Sequence, residues 1–313
     1  MLLPNEAVNH DDLRRIVEEQ FGEQAAGDGA GLEFVPLGED SWCYRLGRLW
    51  VSVRRDLQGH VPAAYEAARE LRQAGLEFVL APLAGRDGKV VRAVGELPVV
   101  VFPFVNVTPI SSGAPASLAE SAEITSMLGR VHGAGVSAAL PTEDYRFPFA
   151  AELAGGVAAA AEADSDCGPF SLRLHRLIVR HRDYIRALEA EAEQVAGLCA
   201  AADTRPVLTH GEPSAGNVLR GDGGLLLADW GAAMWGPPER DWYHARSTAG
   251  VPAGCRPEFL RFYELRWVLG EISEYTSRFG RAHAGDDDDA AMWRRLTRYL
   301  PDVREDERPS PGA

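Results

Sequence analysis

Three polar side chains in the second half of the sequence have the types and spacing that phosphoryl transfer requires. Glu212 is followed five residues later by the amide Asn217, and Asp229 ends an apolar run twelve residues further on. In phosphoryl transfer a carboxylate accepts the proton of the attacking hydroxyl, while an asparagine and an aspartate hold Mg²⁺ against the phosphates. Each residue alone is explained as an ordinary polar side chain at the tip of a loop. The combined spacing of the three favours a kinase-like catalytic set.

Strands are predicted on both sides of this set, at Val207–Thr209 and Leu225–Ala228. The first third of the chain predicts a small antiparallel sheet with one inserted helix, Pro62–Gly75, which has proline near its start and glycine at its end. A short capped helix is predicted to start after Asn9. The strand-like runs of the sheet are 32–37, 42–46, 49–53, 89–94 and 99–105.

Beyond residue 106 the pattern becomes helical. Residues 108–115 predict a loop, 117–199 predict helices, and 141–169 predict a loop with a short helix at 149–161. The predicted fold class is therefore α+β. It has an N-terminal sheet lobe at 1–104, a mainly helical lobe at 105–304 and a disordered tail at 305–313.

Composition excludes several classes of protein. The 313 residues carry 32 basic and 46 acidic side chains, a net charge of −14, which argues against nucleic-acid binding and suits a cationic small molecule. No apolar run is long enough to span a membrane, and no secretory signal is evident. The four cysteines have neither disulfide nor metal spacing, so we expect a cytoplasmic protein.

The motifs resemble those of the aminoglycoside phosphotransferase family. The matching segments are His210–Asn217, the pair Asp229–Trp230, and Gly236–Asp241. Weaker likeness at 63–70, 102–105 and 266–275 extends it over most of the chain, and the spectinomycin-phosphotransferase-like branch is nearest. The resemblance implies a two-lobed protein-kinase-like fold that binds ATP or GTP and Mg²⁺. It also implies phosphorylation of a hydroxyl on a small molecule.

The resemblance assigns roles to individual residues. Glu212 takes the place of the catalytic aspartate, and Asn217 and Asp229 match the two Mg²⁺-binding positions. His210 would brace the loop, and Arg240 and Asp241 would form a buried pair that ties down the following loop. Five residues are expected to bind the nucleotide: Ser41, Ser52, Arg54, Phe102 and Phe104.

Three positions depart from the family pattern. Glutamate replaces aspartate at 212, and such a displacement costs on the order of a hundredfold in rate unless the backbone compensates. The phosphate-binding lysine of the third strand is absent: Ser52 stands in its place, and Lys89 is the only lysine of the chain. Arg54 faces the same side of that strand, so it either contacts phosphate or is a solvated edge residue. Gly231 stands where relatives often have a second acid.

Two further features of the N-terminal lobe concern the nucleotide. The turn Gly38–Ser41 offers hydrogen-bond donors that would cover the phosphates, although Glu39 and Asp40 would repel them if they pointed inward. Glu66 and Glu70 lie one turn apart on the predicted helix. Without a lysine to pair with, a surface position is favoured for both.

Acceptor binding is predicted on the helix that contains residues 264–274. Glu264, Trp267, Glu271 and Glu274 fall on one stripe, which suits an amine-bearing ligand through charge and cation–π contact. The alternative is that the acids form an exposed face of this helix and that the Trp267 indole lies under a neighbouring loop. We expect Glu239, Trp267, Glu271 and Glu274 to bind the acceptor.

Three functions remain open from the sequence. The first is an ATP- or GTP- and Mg²⁺-dependent O-phosphotransferase acting on a small, cationic, hydroxylated compound such as an aminoglycoside-like antibiotic. The second is a catalytically weak or dead pseudokinase that binds a nucleotide or metabolite, since losing one charge-stabilising donor costs about 10²–10³ in rate. The third is a kinase of a small metabolite.

Overall fold

The computed structural model describes residues 3–5, 7–22, 31–38, 41–162 and 167–303. Glu39, Asp40 and the predicted tail at 305–313 lie outside these residues. The chain divides into two compact units, Met1–Glu143 with Thr204–Cys255 and Asp144–Asp203 with Arg256–Ala313. The lobe boundary between residues 104 and 105 stays a prediction.

The first unit contains a five-stranded sheet. In chain order its strands are β1 (Glu33–Val35), β2 (Ser41–Leu46), β3 (Leu49–Arg54), β4 (Val91–Val94) and β5 (Leu97–Pro103). They are arranged in the order β1-β2-β3-β5-β4, and every neighbouring pair is antiparallel. The predicted antiparallel sheet is confirmed. Most of its strands begin or end one or two residues away from the predicted positions.

Two helices accompany this sheet. Helix α1 (His10–Phe21) starts where the Asn9 side chain accepts hydrogen bonds from two backbone amides, as its sequence predicts. Leu13 and Val17 of α1 pack into the apolar core under the sheet. Helix α2 (Pro62–Gln73) interrupts the strands, and its first residue is proline, which suits a helix start because its fixed φ matches the helix.

Alternation along β3 gives the sheet two different faces. Val51 and Val53 belong to the core on the side of α1, whereas Ser52 and Arg54 point to the opposite face. Because side chains alternate along a strand, this register places polar groups of β2 and β3 side by side on one surface of the sheet.

The rest of the first unit carries the predicted catalytic loop. Its elements are β6 (Val107–Pro109), α3 (Leu118–His132), β7 (Val207–Thr209), β8 (Val218–Gly221), β9 (Gly224–Leu227), β10 (Met234–Gly236) and α6 (Glu239–Ala245). Strands β6, β8 and β9 form one antiparallel sheet, and β7 pairs with β10.

Some of these elements correct the sequence interpretation. Residues 108–115 are not a plain loop, since β6 and a short 3-10 helix at Ile110–Ser112 occupy part of that stretch. Strands β8 and β10 were not predicted, because runs of three or four residues carry little periodicity of their own. Strand β7 has the bounds that the sequence predicts.

The second unit is helical in its described part. It consists of α4 (Ala150–Glu162), α5 (Ser171–Ala201), α7 (Pro257–Phe279) and α8 (Asp287–Leu296). Aromatic rings of Phe170, Phe279 and Trp293 pack against one another in its core at centroid distances of 5.2–5.4 Å. The predicted short helix at 149–161 is confirmed as α4. No helix among the described residues is long and apolar enough to cross a membrane.

Candidate active site

The loop after β7 is held by a buried histidine. His210 is fully buried, and its Nε2 lies 2.8 Å from the carbonyl oxygen of Ala228, which only accepts, so Nε2 carries the proton. The Nδ1 atom then accepts a 3.2 Å hydrogen bond from the backbone amide of Glu212. Burial lowers the pKa of His210, in agreement with this neutral form. The predicted bracing role therefore has a structural basis in both ring nitrogens.

A buried carboxylate fixes the same loop from α6. Asp241 accepts hydrogen bonds from the backbone amides of His210 (3.0 Å) and Gly211 (2.7 Å) and from Nε2 of His132 (2.9 Å). Burial alone would raise the pKa of Asp241, but the His132 hydrogen bond and nearby charges outweigh it and hold that pKa at about 2. Asp241 is therefore a charged anchor of the loop.

Arg240 covers the glycine of this loop. Its guanidinium donates to Thr209 Oγ1 at 3.0 Å and to the carbonyl oxygen of Ala232 at 2.9 Å. Gly211 has a φ of +109°, and a Cβ there would lie 2.6 Å from the guanidinium. Glycine is therefore required at 211 for both backbone and packing reasons. Arg240 and Asp241 hold the loop in place, each through its own set of partners.

Glu212 and Asn217 are joined within the loop. The Asn217 Nδ2 atom donates a 2.9 Å hydrogen bond to the backbone carbonyl of Glu212, and the Ser214 hydroxyl donates to Glu212 Oε1 at 3.3 Å. Because Nδ2 is engaged by the loop, Oδ1 of Asn217 is the atom suited to a cation.

Asp229 follows β9 in a left-handed backbone conformation, with φ 63° and ψ 65°. This region costs a residue other than glycine about 1–3 kcal/mol and is concentrated at functional sites. The preceding Ala228 donates its backbone amide to the carbonyl of Asn217 at 2.9 Å, so the two segments run side by side. The Asp229 carboxylate is exposed toward a cavity.

That cavity has a volume of about 460 Å³ and lies within the first unit. It brings together seven residues predicted from the sequence, namely Ser41, Ser52, Arg54, Phe102, Phe104, Asn217 and Asp229. Among the described residues that line it, Glu212 does not appear, although its carbonyl is bonded to the lining residue Asn217.

Aromatic side chains form one wall of the cavity. Trp50 and Phe104 stack with their centroids 6.5 Å apart, and the Arg45 guanidinium lies 4.2 Å above the Phe104 ring. Phe102 packs against a buried cluster formed by Tyr65 of α2, Val90 and Val100. Flat apolar surfaces of this kind suit a planar ring.

The two acids of α2 do not line the cavity among the described residues. Glu66 pairs with Arg69 at 2.9 Å, and Glu70 accepts a 2.8 Å hydrogen bond from the hydroxyl of Ser137. The surface interpretation of both residues is thus supported. Tyr65 is the α2 residue that lines the cavity. The sequence analysis missed it, together with Cys43, since a tyrosine or cysteine alone carries no motif.

The candidate acceptor residues divide between the two units. Glu239 is a buried residue at the start of α6 in the first unit. Trp267, Glu271 and Glu274 lie half-buried on α7 in the second unit. The Trp267 indole nitrogen donates to the Tyr299 hydroxyl at 3.1 Å, and Tyr275 donates to Glu271 Oε2 at 3.1 Å. Acceptor binding by these residues stays a prediction.

The donor set fits a magnesium ion held partly by phosphate. No group of three or more His, Cys, Asp or Glu side chains with metal-site geometry occurs in the part of the chain that the structure describes. Mg²⁺ typically takes one or two protein oxygens and completes its shell with phosphates and water. The Asn217 amide oxygen and the Asp229 carboxylate, on adjoining segments of one cavity, match that requirement.

Comparison with known proteins assigns the family. Residues 45–275 match the model of the phosphotransferase enzyme family, APH. The chain is 48% identical to Protein StrN of Streptomyces griseus over 313 residues, which cover 97% of this chain and 98% of StrN.

Solved structures agree in fold. Spectinomycin phosphotransferase APH(9)-Ia, determined with ADP and spectinomycin, has a TM-score of 0.72 at 13% identity and 97% coverage of both chains. A choline/ethanolamine kinase family protein from Mesorhizobium loti has a TM-score of 0.53 at 18% identity and 92% coverage of both chains. The predicted kinase-like α+β fold is therefore confirmed, and the chain belongs to the phosphotransferase enzyme family, as its catalytic-loop motif predicts.

Proposed function

We propose that this phosphotransferase moves the γ-phosphoryl group of ATP or GTP to a hydroxyl of a small, cationic compound such as an aminoglycoside-like antibiotic. Residues 1–104 would form the nucleotide-binding lobe and 105–304 the catalytic and acceptor-binding lobe, acting in the cytoplasm where nucleoside triphosphates are available. The observation that carries the proposal is the convergence of the predicted nucleotide and metal residues on one cavity.

Nucleotide binding is supported by the chemistry of the cavity walls. Phe102 and Phe104 would flank the base, while Ser41 and Ser52 offer hydroxyls on neighbouring strands. Arg54 would supply the positive charge that the family obtains from lysine, because guanidinium groups bind phosphate in a bidentate manner. Aromatic rings next to a cationic side chain suit a nucleoside triphosphate, which has a planar base and anionic phosphates.

Asn217 and Asp229 would hold Mg²⁺ through oxygen atoms. When bound, the ion neutralises charge on the phosphates during transfer. The chain contributes by fixing these ligands in advance. The Asn217 amide is oriented by Glu212, and the Asp229 backbone is held by the bonded segment before it.

Glu212 would accept the proton from the attacking hydroxyl. The backbone amide of Glu212 is bonded to His210 Nδ1 and its Oε1 accepts from the Ser214 hydroxyl, so both ends of this longer side chain have a partner within the loop. In a loose transition state the base acts mainly by orienting the hydroxyl.

A cationic acceptor is supported by acidic groups. The net charge of the chain is −14, and Trp267, Glu271 and Glu274 follow one another on successive turns of α7. Glu239 in the first unit and Trp267, Glu271 and Glu274 in the second are each proposed to bind amino groups of the acceptor. Spectinomycin, the ligand solved with the phosphotransferase of similar fold, gives a first compound to test.

The test is mass spectrometry of hydroxylated antibiotics and metabolites after incubation with the protein, Mg²⁺ and ATP or GTP. Addition of one phosphate to a cationic aminocyclitol or aminoglycoside supports the proposal. Phosphate on uncharged or non-antibiotic metabolites alone would favour a metabolite kinase. Nucleotide binding without transfer to any compound of a broad panel would favour the pseudokinase.

A further inference from the structure

Arg54 has an unusual environment for a residue on the cavity wall. It is only 8% exposed, and its Nη2 atom lies 2.8 Å from Nε2 of His60. The Nε atom is buried and has no hydrogen-bond partner among the described residues. Because Arg54 also lines the cavity, the guanidinium N–H groups that face the cavity are candidates to bind an anion there.

The partners of Arg54 form a chain of three side chains. A guanidinium only donates, so Nε2 of His60 must accept and Nδ1 must carry the proton. Nδ1 lies 2.8 Å from the hydroxyl oxygen of Tyr65 and donates a hydrogen bond to it. Burial raises the pKa of Tyr65, so the phenol stays neutral. Its ring also stacks on the imidazole at 6.0 Å.

Gly231 provides the space for the imidazole. A Cβ at residue 231 would lie 1.6 Å from His60 Nδ1, so any larger residue displaces the ring. The backbone amide of Val61 donates to the Gly231 carbonyl at 2.9 Å, which fixes the two segments against each other. Gly231 does not have a positive φ, so its backbone permits alanine, and the three atoms nearest to an added Cβ all belong to His60.

Arg54 and the candidate metal ligand Asp229 line the same cavity. Burial is the main cause that raises the pKa of Tyr65 and of Cys43, and the charge of Arg54 lowers both pKa values while that of Asp229 raises them. A guanidinium at this position would attract the same phosphates as a metal bound by Asp229.

We propose that His60 is a positioning residue, which, with Tyr65 behind it, holds the Arg54 guanidinium ready to bind the nucleotide phosphates. Gly231, which has no side chain, leaves the space that the His60 ring occupies. The inference rests on the proposed nucleotide site. Arg54, held by His60, would supply the positive charge that the absent strand lysine would otherwise provide. A flexible arginine that is ordered before the ligand arrives loses less freedom on binding.

Affinity for ATP with Mg²⁺, measured by calorimetry, tests this. Arg54→Ala is expected to weaken binding by about 10–100-fold, the loss of hydrogen bonds from a charged donor. His60→Leu should weaken it by about three- to tenfold, the effect of releasing one long side chain. His60→Gln, which keeps an acceptor for Arg54, should recover most of that loss.

Two further variants separate positioning from simple damage to the fold. Gly231→Ala should reproduce the effect of His60→Leu without altering His60 itself. The double variant of Arg54→Ala with His60→Leu should bind as Arg54→Ala does alone, because the histidine acts only through the arginine. Melting temperatures of all variants monitor folding.

Additive effects of the two substitutions, or equal losses in His60→Leu and His60→Gln, would overturn the inference. If Gly231→Ala bound ATP as tightly as the parent protein, that would also contradict it. A parent protein that bound neither ATP nor GTP in the presence of Mg²⁺ would overturn the proposed function as well, so the two failures are distinguishable.

Discussion

The side-chain amide of Asn217 donates a 2.9 Å hydrogen bond to the backbone carbonyl of Glu212, which ties a candidate metal ligand to the candidate base. The amide nitrogen serves the loop, and the amide oxygen is left for the cation. The two functions of this side chain can be separated by substitution.

Asn217→Asp retains oxygen ligands but removes the donor and places a carboxylate beside the Glu212 carbonyl. We expect kcat for the identified acceptor to fall by about a hundredfold through misplacement of the loop, while the Mg²⁺ requirement remains. Asn217→Ala should lose the ligand too and raise the Mg²⁺ concentration for half-maximal rate. Magnesium titrations of both variants check this, and identical Mg²⁺ curves for the two would be inconsistent with a ligand role.

Glu212→Gln removes the proton acceptor and preserves the size of the side chain. We expect kcat to fall by about 10²–10⁴-fold, the typical contribution of a general base, with little change in the KM for nucleotide. Glu66→Gln is the matched control. Glu66 pairs with Arg69 on the surface of α2, so its loss should leave both constants unchanged. A Glu212→Gln variant with parental kcat would require another base.

Stability at low pH should depend on Asp241. The pKa of this buried group is about 2 in the folded protein, below its ordinary value of 3.8, so its contribution to stability is full above about pH 5 and is lost toward pH 2. Asp241→Asn should cost about 3 kcal/mol at pH 7, the loss of a buried charged partner. The difference from the parent should shrink by about 2 kcal/mol as the pH falls from 5 toward 2.

Urea unfolding of the parent and Asp241→Asn across that pH range measures this difference. Asp183→Asn, an exposed position on α5, serves as the control and should change stability by less than about 0.5 kcal/mol. A stability difference that stayed constant from pH 5 to the acid transition would show that the Asp241 charge does not stabilise the fold.

The α7 acids can be tested by charge alone. Glu271→Gln with Glu274→Gln should raise the acceptor KM, and the rise should be larger at low salt because salt screens the part of these half-buried charges that faces solvent. The nucleotide KM should change little. Asp183→Asn with Glu193→Gln, at two exposed acids of α5, is the control that changes the net charge by the same amount. An acceptor KM that is unaffected at both salt concentrations would identify these residues as surface, or the acceptor as uncharged.

The elements with local signals were predictable from the sequence. Helix α1 follows its Asn9 cap, helix α2 starts at its proline, and β7 has the predicted bounds. The candidate nucleotide and metal residues also line one cavity. They were predictable because motif spacing and strand alternation can both be read within a short segment of the sequence.

What the sequence did not predict depends on contacts between distant segments. Strands β8 and β10 are too short to have their own periodicity and exist through pairing with other strands. The place of His60 against Gly231 likewise arises only when the fold brings them together. No periodicity or motif of a single segment encodes such a contact.

The most direct measurement follows ³²P from the γ-position of ATP to the acceptor identified by mass spectrometry, with Mg²⁺ present. The parent and Asp222→Ala, a change at an exposed aspartate in the β8–β9 turn, should transfer label at similar rates. Asp229→Ala should reduce transfer by at least about 10²-fold, because a group that stabilises charge in the transition state is lost. Equal transfer by Asp229→Ala and Asp222→Ala would contradict the assignment of this cavity as the site of phosphoryl transfer.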